Sequence, residues 1–465
     1  MTLPLKKEEK PRAKTDPVFK KAVALYEQGR IDEACEGYRE CLRDNPDHAS
    51  AWLNLGMVLR QQGHSAAALV CSKRALEVSP NNTAYLMNYG NCLSELGRKD
   101  ESLAAHAAAA SARPDDFLIR RNYAVALREF GEFGSALLHF TAAQRLRPRD
   151  ISLEWEIALT YLYMGRFKEG WPAFEIRWKL PQMKERDYHA PRWRGEDLRG
   201  KTILIHEEQG FGDSILCSRY IPMVSARGGR VILECKKTLH RLFSSLPGVD
   251  RIVEPNHALT DLDYYIPMMS LPGVFGTDLD SMPPPPALYV PPSAPPAVER
   301  LLNLGQDRFR IGIVWSGSVT FANNQKRAVE AERFLALAGI PGVQLYSLQK
   351  GPRENDLPGC GAAGLVHELG PHLNDFADTS ATLKKLDLVI MTDSSVAHLA
   401  GSLGVPVWNL LSYRPYWLYL SERADCPWYP SMHLFRQPEP GDWDAVFKKA
   451  ASVLEYVARK EKVVH

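Results

Sequence analysis

Through the first third of the chain, apolar residues recur at the three- and four-residue spacing that lines one face of a helix. The pattern breaks at fixed intervals. Pro46, Pro80, Pro114 and Pro148 stand 34 residues apart, and so do Gly29, Gly63, Gly97, Gly131 and Gly165. Ala34, Ala68 and Ala136 keep that register, as do Gly56 and Gly90, then Ala124 and Ala158. Two independent series with one period predict a repeat of two helices per unit. The Gly separates the helices, because a helix stop favours a residue that tolerates positive φ. The Pro closes the unit, because it cannot continue a helix interior. Gly56 and Ala68 are small enough to let paired helices approach. Trp52, Leu55, Leu59, Leu69 and Ala75 are predicted to fill the space between units. One pair alone buries too little surface, so stacking must supply the core.

These residues resemble the tetratricopeptide repeat, whose unit is also 34 residues long. The second unit matches best, with Trp52, Leu55, Gly56, Ala68, Ala75 and Pro80 at the pattern positions. About five units are predicted over residues 15–182. In the fifth, Gly170 replaces the small Ala and Pro181 comes one place early. It reads as a terminal unit that docks onto the next domain. The concave surface of such a stack is expected to hold a peptide or protein partner.

After Trp178 the period is lost. Residues 181–201 are polar and punctuated by Pro and Gly, as in a linker. Short apolar strands then alternate with helical patterns. Strands are predicted at 202–206, 230–235, 251–254, 310–315, 343–349, 387–392 and 405–411. Helices are predicted at 213–227, 239–246, 331–338, 375–385 and 394–403. Alternation of this kind implies parallel sheet. A run of prolines, Pro283 to Pro286 and then Pro291, Pro292, Pro295 and Pro296, is stiff and cannot enter a sheet interior. It divides this part into two α/β domains, 183–296 and 297–465. The fold class is therefore α + α/β: an α-solenoid followed by two α/β domains, which facing each other would form a cleft suited to a small molecule.

Composition narrows the function without choosing it. The chain is 45% hydrophobic and 24% charged, with 57 Lys and Arg against 55 Asp and Glu. A net charge of +2 gives no global field for nucleic acid or an anionic membrane, so a polyanion site must be local. No stretch approaches the 18 or so apolar residues of a membrane helix. The charged N-terminal residues 1–14 lack the apolar core of a secretory signal. Eight scattered Cys with no Cys-x-x-Cys pair suit a reducing compartment, and a cytoplasmic location is expected.

The candidate chemistry sits where strands end. Glu207-Glu208-Gln209-Gly210-Phe211-Gly212-Asp213-Ser214 follows a strand and opens a helix. Gly210 and Gly212 permit a tight turn and close ligand approach. Asp213 fits either a helix N-cap or a general base facing the cleft. The turn lacks the third glycine of a dinucleotide fingerprint and the Gly-Lys-Ser/Thr of a P-loop. In Thr392-Asp393-Ser394-Ser395-Val396-Ala397-His398, Asp393 is expected to cap a helix. The N–H groups of Ser394, Ser395 and Val396 would then face outward as a diphosphate site. His398 reads either as a core residue or as part of that site. Trp315-Ser316-Gly317-Ser318 leads to Asn323, Asn324, Lys326 and Arg327, cations suited to phosphate unless the loop is merely solvated. Gln349 and Lys350 stand at another strand end. The stretch Cys426-Pro427-Trp428-Tyr429-Pro430 is expected to pack the domain.

From about 200 to 440, the chain is similar to the heptosyltransferase-like glycosyltransferases fused to tetratricopeptide repeats in bacteria. The resemblance is carried by Glu208-Gln209-Gly210-Phe211-Gly212-Asp213, Gly312-Ile313-Val314-Trp315, Ser347-Leu348-Gln349-Lys350-Gly351 and Thr392 through Gly401. Pro427-Trp428-Tyr429-Pro430 and Leu434-Phe435-Arg436-Gln437 also fit. It implies a GT-B architecture of two facing Rossmann-like α/β domains, and a nucleotide-diphosphate sugar as donor, held mainly by the second domain without a metal or other cofactor. It implies Asp213 as the base. Donor contacts are expected from Gly210, Gly212, Trp315, Lys326, Arg327, Gln349, Lys350, Asp393, Ser394, Ser395, Val396 and His398. One departure stands out: where similar sequences carry Gly-Asn and then Asp before the basic residue, this chain has Gly317-Ser318, Asn324 and Lys326-Arg327-Ala328. The expected activity is glycosyl transfer to an acceptor presented by the repeats. The competing expectation is a binding scaffold whose transferase domain has lost activity.

Overall fold

The computed structural model describes residues 16–183, 185–319, 324–362 and 364–461. The chain forms two compact units, Met1–Thr160 and Tyr161–His465.

The first unit is a series of antiparallel helix pairs: α1 (Asp16–Glu27) with α2 (Ile31–Asp44), α3 (Ala49–Gln61) with α4 (Ser65–Val78), α5 (Thr83–Glu95) with α6 (Lys99–Ala112), and α7 (Phe117–Glu129) with α8 (Phe133–Leu146). The helix α9 (Ile151–Tyr163) runs across the boundary, and α10 (Phe167–Phe174) belongs to the second unit. The period explains the turns. All five glycines of the series hold positive φ, from 69° to 85°, where an L side chain would be strained. The prolines lie in the turns between pairs. Two residues after each comes a cap: His48, Asn82, Asp116 and Asp150 all accept from first-turn amides. This cap series shares the 34-residue period.

Close approach is just as specific. A Cβ on Gly56 would lie 3.1 Å from Cys71 Cβ, and one on Gly90 only 2.8 Å from the His106 ring. His106 is fully buried, neither ring nitrogen has a hydrogen-bond partner, and burial pushes its pKa down from 6.5 to about 4. The unfolded chain takes up a proton near pH 6.5 while the folded one resists until about pH 4. Stability is therefore full above pH 6.5 and falls by about 3 kcal/mol on acidification to pH 4. Urea unfolding of the helical signal is expected to show this loss in the wild-type protein and a shallower one in His106→Phe.

The second unit holds two sheets. In the first, β1 (Thr202–His206), β2 (Arg230–Glu234), β3 (Arg251–Val253) and β4 (Tyr264–Pro267) run parallel in the order β3-β2-β1-β4. The second comprises β5 (Phe309–Val314), β6 (Val343–Ser347), β7 (Val366–Glu368), β8 (Leu388–Thr392), β9 (Val407–Leu411), β10 (Asp425–Cys426) and β11 (Tyr429–Arg436). Its order is β10-β11-β9-β8-β5-β6-β7, parallel throughout except β10 with β11. Their interiors are continuous apolar runs, such as Leu388 to Met391, buried on both faces. In each sheet the connections reverse direction beside the first strand, between β1 and β4 and between β5 and β8. Those reversal points, at the carboxyl ends, are where open α/β sheets bind ligands.

Seven strands lie where the apolar runs predict them, within two residues. β4, β7, β10 and β11 carry no prediction. β11 is disguised by Pro430, which falls outside the residues paired with β9 and β10. The helix predicted at 213–227 is broken into Phe211–Cys217, a 3₁₀ turn and Ile221–Ser225, with Pro222 starting the last piece. Among the described residues, no helix is long and apolar enough to cross a membrane.

Candidate functional site

The turn after β1 and the turn after β8 meet. Gly212 lies against the ring of His398 so closely that a Cβ there would be 2.6 Å from His398 Cδ2. Beside it, the Phe211 and Phe376 rings stand 5.0 Å apart. Gly212 thus serves a contact between helix ends.

Asp213 occupies the third position of the helix Phe211–Cys217, not the N-cap, and its Oδ2 accepts from the Gly210 N–H at 3.0 Å. Burial pushes its carboxyl up to about 6. The Gly210 N–H opposes that rise, and the negative charges of Glu208 and Asp393 add to it. A carboxylate with a pKa near working pH, partly open to solvent, is suited to accept a proton. Tyr416 feels the same charge: burial first, then Asp213, holds its phenol well above the ordinary range.

Asp393 is not the cap of its helix. Ser394 takes that place ahead of Ser395–Ser402, and its hydroxyl is buried with no hydrogen-bond partner. Asp393 instead accepts from Tyr419 Oη at 2.8 Å and pairs with Arg327 Nη1 at 3.3 Å. The residues on either side of 394–396 are buried while these three are partly exposed, so the open end of the helix faces outward. His398 is buried, 3.1 Å from Tyr429 Oη. Burial, opposed by the charge of Asp393 and helped by those of Arg219 and Arg327, lowers its pKa to about 4, so its ring is neutral. Arg219 is itself buried, donating to the carbonyls of Leu216, Pro283 and Trp428.

Several expected donor contacts are already engaged. Trp315 is fully buried with its indole N–H on Asp356, which leaves its side chain no surface for a ligand. Gln349 is also buried. Its Oε1 accepts from the Trp315 and Ser316 amides, and its Nε2 donates to the Ser316 and Lys350 carbonyls. It therefore clamps the β5 and β6 exits together. Lys350 is exposed, with Nζ 3.1 Å from the Gly370 carbonyl, and Lys326 is exposed on the helix Asn324–Arg327. Asn323 lies outside the described residues. The Trp428 and Tyr429 side chains pack inward, as expected. Among the described residues, no group of three or more His, Cys, Asp or Glu converges to hold a metal ion.

The sequence did not single out Tyr416, Tyr419 or Arg219, which no motif marks. In the repeats, Asn54, Asn88 and Asn122 form another series 34 residues apart, a signal that was available. Their side-chain amides donate to Tyr38 Oη, the Ala84 carbonyl and Met87 Sδ.

A tetratricopeptide-repeat family model matches residues 19–72, and a second matches 47–161. The N-terminal region therefore carries tetratricopeptide repeats, and an α/β region with parallel sheets follows. Such repeats point to protein partners. The chain is similar to Protein FlbA of Caulobacter vibrioides, 26% identical over 328 residues, covering 64% of this chain and 54% of that protein. The chain thus spans about half the length of this curated relative. A share of 64% exceeds what the first unit can supply, so the match runs into the α/β unit. Among solved structures, a thermophilic tetratricopeptide-repeat protein of Thermus thermophilus is 19% identical, covering 37% of this chain and 93% of that one, with a TM-score of 0.33. The pilF protein of Pseudomonas aeruginosa is 19% identical, with shares of 38% and 78% and a TM-score of 0.32. A MamA structure is 24% identical, with shares of 36% and 98% and a TM-score of 0.30.

Proposed function

We propose that the α/β unit is a GT-B glycosyltransferase of the heptosyltransferase-like kind, moving a sugar from a nucleotide-diphosphate donor to an acceptor hydroxyl with inversion. The observation that carries it is the meeting of Gly212 and His398, which joins the Asp213 turn to the open helix end at 394–396. Asp213 takes the proton of the attacking hydroxyl. The amides of Ser394, Ser395 and Val396 stabilise the charge that grows on the leaving diphosphate, with Lys326, the chain neighbour of the Arg327 that pairs with Asp393. The neutral His398 ring packs against Gly212 and so holds the two turns together. The repeats bind a protein acceptor on the concave surface of the stack.

A second reading, a repeat scaffold with a silent transferase domain, draws on the engagement of Arg327 by Asp393 and the saturation of Gln349. Incubation with a panel of nucleotide sugars and cell extract separates the two. The transferase reading expects nucleoside diphosphate release above the blank. Absence of release, together with no thermal shift from any nucleoside diphosphate, leaves only the scaffold, which partners would still bind through residues 15–182.

A further inference from the structure

Among the described residues, Arg60, Arg121, Arg310 and Arg436 each have a buried side-chain nitrogen with no hydrogen-bond partner. Three of these four hold a carboxylate. Arg60 pairs with Glu95 at 2.9 Å, Arg121 with Glu156 at 3.3 Å, and Arg310 with Asp387 at 3.8 Å. Arg436 differs. Its Nη2 donates to the Leu420 carbonyl at 3.0 Å and the Tyr419 carbonyl at 3.4 Å, while Nη1 is the buried, unpartnered nitrogen. No described carboxylate lies within ion-pair distance of it. Burial lowers the guanidinium pKa to about 10; the Arg414 cation adds to that fall and Tyr163 opposes it. Leaving a guanidinium half-buried and uncompensated is costly unless something else supplies negative charge.

Its place in the fold says what that something meets. Arg436 is the last residue of β11, opposite Leu411 at the carboxyl end of β9, on the edge where Thr392 leaves β8. β11 and β8 are two strand spacings apart, about 10 Å, a gap that an arginine side chain and a diphosphate can bridge together. Tyr419 couples the two places, since its carbonyl accepts from Arg436 while its hydroxyl donates to Asp393. Leu420 adopts a φ of 52°, unusual for a non-glycine residue, in the turn that presents the second carbonyl.

We propose that Arg436 is a phosphoryl-binding residue, supplying the charge at the carboxyl edge of the second sheet that Arg327, held by Asp393, is not placed to give. A phosphoryl group could come from a nucleoside diphosphate or from a phosphate borne elsewhere. The inference rests on the transferase reading only in taking the first source as the physiological one.

The test measures binding of pyrophosphate, inorganic phosphate, ADP, UDP and GDP to the full chain by calorimetry, with wild type, Arg436→Gln and the exposed-site control Lys448→Gln. The expected result is that Arg436→Gln weakens pyrophosphate and at least one nucleoside diphosphate roughly tenfold to hundredfold, the range of a charge-assisted hydrogen bond. Its melting temperature without ligand should stay at or above that of wild type, because an uncompensated buried charge has been removed. Should Arg436→Gln fold poorly, Arg436→Lys retains the charge without the fork and should weaken the same ligands. Pyrophosphate binding that depends on Arg436 without any nucleoside diphosphate binding would keep this proposal and remove the transferase reading. Nucleoside diphosphates bound equally by wild type and both variants would overturn the proposal and leave that reading intact. If wild type binds neither pyrophosphate nor any nucleoside diphosphate, both fall.

Discussion

Replacing Asp213 with Asn is expected to lower sugar transfer by roughly 10²- to 10⁴-fold, the usual contribution of a positioned general base. The fold should survive. The Asn carbonyl oxygen can still accept from the Gly210 N–H, so the helix end keeps its hydrogen bond. The wild-type pH profile adds a second signature. With its carboxyl raised to about 6, Asp213 is ionised and competent above that pH and protonated below it. Activity should therefore fall about tenfold per pH unit below roughly pH 6. The residual rate of Asp213→Asn should lack this limb. Equal turnover by the variant, or an unaltered limb, would take Asp213 out of the chemistry.

A second large effect concerns stability. Arg177 is almost fully buried in the 3₁₀ turn after α10, and it grips Glu208 through two parallel bonds of 2.8 and 3.0 Å. It also donates to Ser270 Oγ and Glu175, and its guanidinium lies 4.5 Å from the Phe174 ring centroid. Glu208 in turn accepts from the Met269 amide. Arg177→Met fills similar space but strands a buried carboxylate, so it should cost about 3–5 kcal/mol in urea unfolding followed by tryptophan fluorescence. Adding Glu208→Gln should restore part of that loss, because the charge left behind is the main penalty. Additive losses in the double variant would show that the pair is not coupled.

The same contrast between sequence and space explains what could be foreseen. The helical repeat was legible because one constraint, a positive φ every 34 residues, left a glycine each time. Strands β1, β5, β8 and β9 were legible because sheets covered on both faces need unbroken apolar runs. Short β7 and proline-bearing β11 offered no such run. At the site, the two turns were legible as glycine-rich or serine-rich strand exits. The occupation of their side chains was not. Asp393 looks like a cap until Tyr419 and Arg327, 26 and 66 residues away along the chain, are seen to hold it. Trp315 and Gln349 look like ligand contacts because they end strands, yet their partners Asp356 and Ser316 consume them. Partner choice across such separations depends on packing, which no local pattern carries.

The central claim is that the Asp213 turn and the 394–396 helix end form one site. It is tested most directly by a crystal structure grown with a saturating nucleoside diphosphate. The account predicts the terminal phosphate against the amides of Ser394, Ser395 and Val396, on the side that faces Asp213. A nucleotide bound elsewhere in the second unit, with those amides turned to solvent, would contradict it.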